Sequence, residues 1–234
     1  MRIAMWSGPR NLSTAMMYAF AQRTDCAVWD EPFYAAYLRA TGANHPMRDS
    51  VLASHEGDPA RVAAACSGPI PEGCAQFYMK HMAHHMVDGI PLDWAEECLN
   101  AHLIRHPARV VASYGAKRAQ MTLEDIGFPQ QVEIYRRLGG IVIDSFDIRA
   151  NPGRALDALC AALGLSFDPA MLQWPAGGRP EDGAWAAHWY GAVHRSTGFA
   201  GAEGPLPKLD GAAAELAREA MPHYDAMRAE ALAI

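Results

Sequence analysis

Five short apolar runs constrain what this chain can fold into: RIAMW at 2–6, AVWD at 27–30, AQFYMK at 75–80, AHLI at 101–104 and GIVID at 140–144. Each has the length of a buried strand, and helical stretches separate them. Helical periodicity starts near Leu12 and carries Met16 and Phe20; Pro107 suits the first position of another helix; a third runs from Pro152 to a stop at Gly164. Strand–helix alternation at this spacing predicts an α/β three-layer sandwich around a mostly parallel sheet. Such sheets bind ligands beyond the carboxyl ends of their strands. The polar clusters Ser7 to Thr14, Asp30-Glu31, Lys80-His81 and Arg105-His106 all fall at such ends.

The 234 residues suit a single domain, 1–234. Two stretches break the alternation. Residues 34–70, with breakers NHP, EGDP and SGPIPEG, read as an irregular, short-helical insertion. Residues 174–209, rich in Gly, Pro and aromatics, read as an ordered loop closing over the site. Both are expected to shape an acceptor pocket or lid, with Phe33, Tyr34, Tyr37, Trp185, Trp189 and Tyr190 either lining it or packing the lid down. From Asp210 to about Leu232 an Ala-rich helical stretch is expected to be interrupted by Pro222.

A formal net charge of −6 gives no support to a nucleic-acid or anionic-membrane surface. Five scattered cysteines without C-x-x-C spacing argue against a disulfide framework or structural zinc and fit a reducing compartment. His81, His84 and His85 lack a spaced carboxylate partner for a metal. No basic segment followed by a long apolar run opens the sequence, and no stretch reaches membrane-spanning length, so a soluble, cytoplasmic protein is expected. Oligomeric state is not legible.

The stretch SGPRNLSTAM at 7–16 places small residues, one cation and two hydroxyls between a strand and a helix. Backbone N–H groups and the positive end of the helix would face an anion there, with Arg10, Ser13 and Thr14 as ligands. The alternative is an ordinary helix cap by Asn11 or Ser13. The Gly-Lys-Ser/Thr of a triphosphate loop is missing. In LIRHPARVVASY, Arg105 follows a strand and Ser113 lies about two turns into the next helix, so both side chains reach one phosphate on that helix flank, or do nothing special.

Taken together, Pro9-Arg-Asn-Leu-Ser-Thr14 and Arg105, Pro107 and Ser113 resemble the cofactor signatures of the sulfotransferase family, although Asn11-Leu12 departs from the commoner Ser-Gly. The segment SFDIRANPGRALDALCAALGLSFD at 145–168 is similar to a later segment of that family. The resemblance covers most of residues 1–170. It implies a fold like that of the P-loop nucleoside-triphosphate hydrolases and 3′-phosphoadenosine 5′-phosphosulfate as donor, with adenosine 3′,5′-bisphosphate as product and no bound metal. Arg10, Asn11, Leu12, Ser13 and Thr14 would surround the 5′-phosphosulfate; Arg105 and Ser113 would grip the 3′-phosphate. Arg195 would close over that phosphate from the late loop.

The resemblance also implies a sulfuryl transfer to an acceptor hydroxyl, or an amine, of a small molecule by in-line displacement. Glu31 resembles the carboxylate base of one branch of the family, and His81 the catalytic histidine of another. Lys80 is placed to assist the leaving oxygen. Two other readings compete: an ATP-dependent phosphotransferase on the same fold, and a degenerate protein that binds nucleotide without catalysis.

Overall fold

A computed structural model describes residues 1–116 and 121–234. Five strands form one parallel sheet: β1 (Arg2–Ser7), β2 (Cys26–Asp30), β3 (Gln76–Met82), β4 (Leu99–Ile104) and β5 (Ile141–Asp144), in the order β2-β3-β1-β4-β5. The central strand β1 is apolar on both faces, as a strand covered by helices on both sides must be. Ile3 and Met5 point into one layer, with α1 (Ser13–Phe20) and α8 (Pro152–Ala162). Ala4 and Trp6 point into the other, with α2 (Tyr34–Thr41) and α4 (Pro59–Ser67). All four side chains are fully buried. The three-layer α/β sandwich expected from the strand–helix alternation is the observed fold.

Element boundaries mostly follow the sequence signals, and the departures have local causes. The stretch 34–70 holds three helices, α2, α3 (Arg48–Ser54) and α4; α4 starts where Asp58 accepts from the Ala60 and Arg61 amides ahead of Pro59. Strand β3 runs two residues past Lys80, so His81 belongs to the strand; the expected helix start at HMAHHM is only a 3₁₀ turn, Ala83–His85. Helix α5 (Pro107–Gly115) begins at its proline as expected. Helix α6 (Phe128–Leu138) has no counterpart in the sequence reading; its first turn carries Pro129, and Gly127, at φ 73°, supplies the left-handed entry. Helix α7 (Ser145–Ala150) follows β5 directly and precedes α8.

The late loop contains two single-turn helices, α9 (Ala186–Trp189) and α10 (Gly191–His194). Helix α11 (Gly211–Arg228) passes through Pro222 without a break. Pro222 and Arg218, whose carbonyl loses its partner there, both lie on the exposed side, so the carbonyl is open to solvent and the lost bond costs little. The strand β5 edge is covered by the last residues, with the Leu232 amide donating to the Val142 carbonyl at 2.9 Å.

Candidate active site

The parallel register aligns the strand ends: Ser7 faces Met82 and Leu103, and Asp30 faces Lys80. A cavity of about 320 Å³ opens beyond them. Pro9, Arg10, Leu12, Ser13 and Thr14 line one side. The loop turns sharply because Arg10 (φ 65°) and Leu12 (φ 68°) both take the left-handed conformation, unusual for residues of their size. Alternation of this kind turns successive amides toward a common point and makes an anion-binding concavity. Gly8 is required beneath it, since a Cβ there would sit 2.6 Å from the Ile126 carbonyl oxygen.

The first turn of α1 has no side-chain cap, as is also true of α2, α3, α6, α9, α10 and α11, whereas α4, α5, α7 and α8 are capped by Asp58, His106, Asp144 and Asn151. The cap alternative for Asn11 or Ser13 is therefore not realised, and the α1 amides are left for another acceptor. Asn11 lies buried under the loop, its amide donating to the Leu103 carbonyl at 3.2 Å. It holds the loop to the end of β4 and is absent from the cavity lining, where Leu12, Ser13 and Thr14 are present.

The second element joins the first in space. Arg10 Nε donates to Ser113 Oγ at 2.9 Å, across 103 residues, and Arg105 Nη1 donates to the Arg10 carbonyl at 2.7 Å. Both Arg105 and Ser113 line the same cavity. Burial and the neighbouring Arg105 charge lower the pKa of Arg10. No carboxylate pairs with Arg10 among the described residues.

Across the cavity, the ends of β2 and β3 bury a charged cluster. Lys80 Nζ lies 2.8 Å from Asp30 Oδ1, 2.5 Å from Glu31 Oε1 and 2.6 Å from the Tyr190 hydroxyl. All three ammonium hydrogens thus have partners. Tyr190, between α9 and α10, donates to Asp30 Oδ2 at 2.7 Å and accepts from Trp185 Nε1 at 2.9 Å. Two carboxylates against one ammonium leave the cluster with an excess negative charge. Burial, only partly offset by Lys80, raises the Glu31 pKa; burial alone would lower that of Lys80, but Asp30 and Glu31 outweigh it and raise it.

The expected site residues therefore divide. Arg10, Leu12, Ser13, Thr14, Glu31, Lys80, Arg105 and Ser113 share one cavity. His81 does not reach it. Strand alternation turns Lys80 and Met82 to the cavity and His81 to the opposite face, stacked on Trp6 at 4.7 Å and tilted against Trp94 at 4.8 Å. Burial, with a smaller contribution from Lys80, pushes its pKa down to about 3, so the ring is neutral. His84 and His85 line the cavity instead, and His85 Nε2 stands 3.9 Å from Glu31 Oε2. Burial holds His85 well below the ordinary imidazole pKa. Arg195 is exposed and outside the lining, although Val193 and Ser196 beside it belong to the lining.

Of the aromatics, Tyr34, Trp189 and Tyr190 line the cavity, while Phe33, Tyr37 and Trp185 pack in the core behind it. The sequence assigns no role to Glu203, which stands in no motif, or to Arg109 and Arg149, which lie within LIRHPARVVASY and the 145–168 segment without marking themselves out. It offers Tyr190 as a pocket aromatic but not as a partner of Lys80, and all four meet the site through long-range contacts. Among the described residues, no group of three or more His, Cys, Asp or Glu is arranged to hold a metal, and no helix is long and apolar enough to cross a membrane.

A central strand, a left-handed loop and a helix start at the carboxyl edge of a parallel sheet define an α/β protein with its candidate site at the strand ends. The chain belongs to the sulfotransferase family, whose domain matches residues 1–231. In fold it is similar to the sulfotransferase domain of the Synechococcus olefin synthase, with a TM-score of 0.52 at 18% identity over 94% of each chain. The sulfotransferase domain from the curacin biosynthetic pathway is also similar, with a TM-score of 0.50 at 14% identity over 93% of this chain and 96% of that one. Two Arabidopsis thaliana proteins are similar in sequence. Branched-chain-amino-acid aminotransferase-like protein 2 is 35% identical over 97% of this chain and 41% of its own length. Branched-chain-amino-acid aminotransferase-like protein 1 is 38% identical over 84% of this chain and 36% of its own. The chain thus spans about two fifths of these relatives, and most of each named protein lies outside the match.

Proposed function

We propose that this chain transfers a sulfuryl group from 3′-phosphoadenosine 5′-phosphosulfate to the hydroxyl, or less readily the amine, of a small acceptor by in-line displacement. The observation that carries the proposal is the meeting of both expected donor elements, through the Arg10–Ser113 bond, in one cavity with Glu31. The residues present fit such a donor: Arg10, without a carboxylate partner among the described residues, lies beside the free amides of the α1 end, where an anion is favoured. Arg10, Ser13, Thr14 and the α1 amides would hold the 5′ end, and Arg105 and Ser113 the 3′-phosphate. The donor supplies an activated sulfuryl group on a phosphate leaving oxygen.

Glu31 is the base that takes the acceptor's proton, at Oε2, since Oε1 is engaged by Lys80. Its raised pKa makes it a stronger base than an exposed carboxylate. Lys80, with every hydrogen committed, acts as a positioning residue for Glu31 rather than on the leaving oxygen. Arg10 and the α1 amides stabilise charge that develops on the donor phosphate. Tyr34, His84, His85 and Trp189 wall the acceptor side and keep water from Glu31.

Thermal shift separates this reading from a phosphotransferase. Adenosine 3′,5′-bisphosphate is expected to raise the Tm, and ATP with Mg²⁺ is not. A rise with ATP alone would sink the sulfuryl reading. The cavity-facing Glu31 counts against a purely binding role, and donor turnover with a panel of alcohols, phenols, sugars and amines tests it.

A further inference from the structure

Residues 200–204 belong to no helix or strand, yet three arginines grip them. Arg149 Nε donates to the Ala200 and Gly201 carbonyls at 2.8 and 2.7 Å, and Arg109 donates to the Gly204 carbonyl. At the centre sits the Glu203 carboxylate. It pairs with Arg105, lies 2.8 Å from Arg109 Nε and 3.6 Å from Arg149 Nη1, and its side chain is 2% exposed. Two of these arginines, Arg105 and Arg149, line the cavity. Arg105 also bonds the phosphate loop through the Arg10 carbonyl.

Three guanidinium groups around one carboxylate leave a net positive cluster, and a phosphate monoester dianion pairs more of that charge than the single carboxylate does. A carboxylate on a strap, inside a cation cluster matched to phosphate, is an internal stand-in for that phosphate. We propose that Glu203 holds the 3′-phosphate subsite closed, and that an entering nucleotide 3′-phosphate displaces its carboxylate and releases the strap 200–204. This rests on the reading that Arg105 serves the donor's 3′-phosphate. Donor affinity is then set by a competition between two anions for the same arginines, and Glu203 is the residue that sets it.

Calorimetric titration of the wild type, Glu203→Gln and Glu203→Ala with adenosine 3′,5′-bisphosphate and adenosine 5′-monophosphate tests the proposal. Both substitutions are expected to tighten bisphosphate binding about tenfold or more, because the dianion no longer competes with a charged carboxylate, and to leave the monophosphate unchanged. Unchanged or weaker bisphosphate binding in variants that retain the wild-type Tm overturns it. A wild type that binds the bisphosphate no better than the monophosphate overturns the donor reading, and this proposal with it. Hydrogen–deuterium exchange on the wild type needs no variant. Amides of 200–204 should exchange faster with the bisphosphate than with the monophosphate, and equal or slower exchange counts against displacement.

Discussion

On the side of the cavity built by β1, α1 and α5, Arg10 meets only a neutral hydroxyl among the described residues, and the first turn of α1 has no cap. On the side built by β2 and β3, Lys80 is saturated by Asp30, Glu31 and Tyr190. The first side has spare positive potential and gains most when an anion arrives. The second has its charges matched locally, apart from one excess carboxylate, and gains by giving that carboxylate a proton. In the proposed reaction the donor anion belongs to the first side and proton removal to the second, so donor binding and proton removal can be disturbed separately.

The sharpest separation is expected from Glu31→Gln. Turnover should fall by about 10²- to 10⁴-fold, the usual loss with a general base, while bisphosphate affinity stays the same. The pH profile carries the same information. Only ionised Glu31 accepts a proton, and burial raises its pKa above the ordinary 4.5, so the acidic limb of kcat should lie above that value and vanish in the variant. A limb at the ordinary value would mean that another group is the base.

Lys80→Met should act next most strongly, on stability. It leaves Asp30 and Glu31 buried without their cation, at a cost of about 3–5 kcal/mol readable by chemical denaturation. Adding Asp30→Asn to Lys80→Met should recover part of that loss, because one of the two orphaned charges disappears. Recovery of nothing would show that packing, not charge matching, holds this side together.

Arg10→Ala breaks the other side. Bisphosphate affinity should fall about ten- to a hundredfold, the worth of hydrogen bonds to a charged group, with Glu31's pH limb in place. Affinity equal to wild type would remove Arg10 from the donor site.

The same division explains what the sequence shows. The donor side is written in two contiguous stretches, 7–14 and 105–113, because a strand, a turn and a helix start fix these residues locally. The opposite side is legible only in part. Asp30-Glu31 and Lys80 stand at strand ends, but Tyr190 reaches Lys80 across 110 residues and belongs to no periodic element. His81 was misplaced for a reason of register: β3 continues to Met82, so a residue expected to open a helix instead alternates into the Trp6 and Trp94 layer. Glu203 lies in a Gly- and Ala-rich stretch without pattern, and only the folded chain gathers three arginines around it.

The smallest effect is expected at Arg195, and it bears on how the 3′-phosphate is held. The family resemblance gives the late loop a basic residue for that phosphate, and Arg195 in VHRSTGF is the cation it offers. In the fold the side chain is exposed, while Arg105 and Arg149 line the cavity and, with Arg109, surround Glu203. The late loop therefore contributes a carboxylate where a cation was expected, and the cations come from the sheet end and from α5 and α7. Arg195→Ala should change bisphosphate affinity and stability by no more than about 0.5 kcal/mol, as for a surface position. A loss comparable to that of Arg10→Ala, measured by the same titration, would require the loop to swing Arg195 inward as Glu203 leaves.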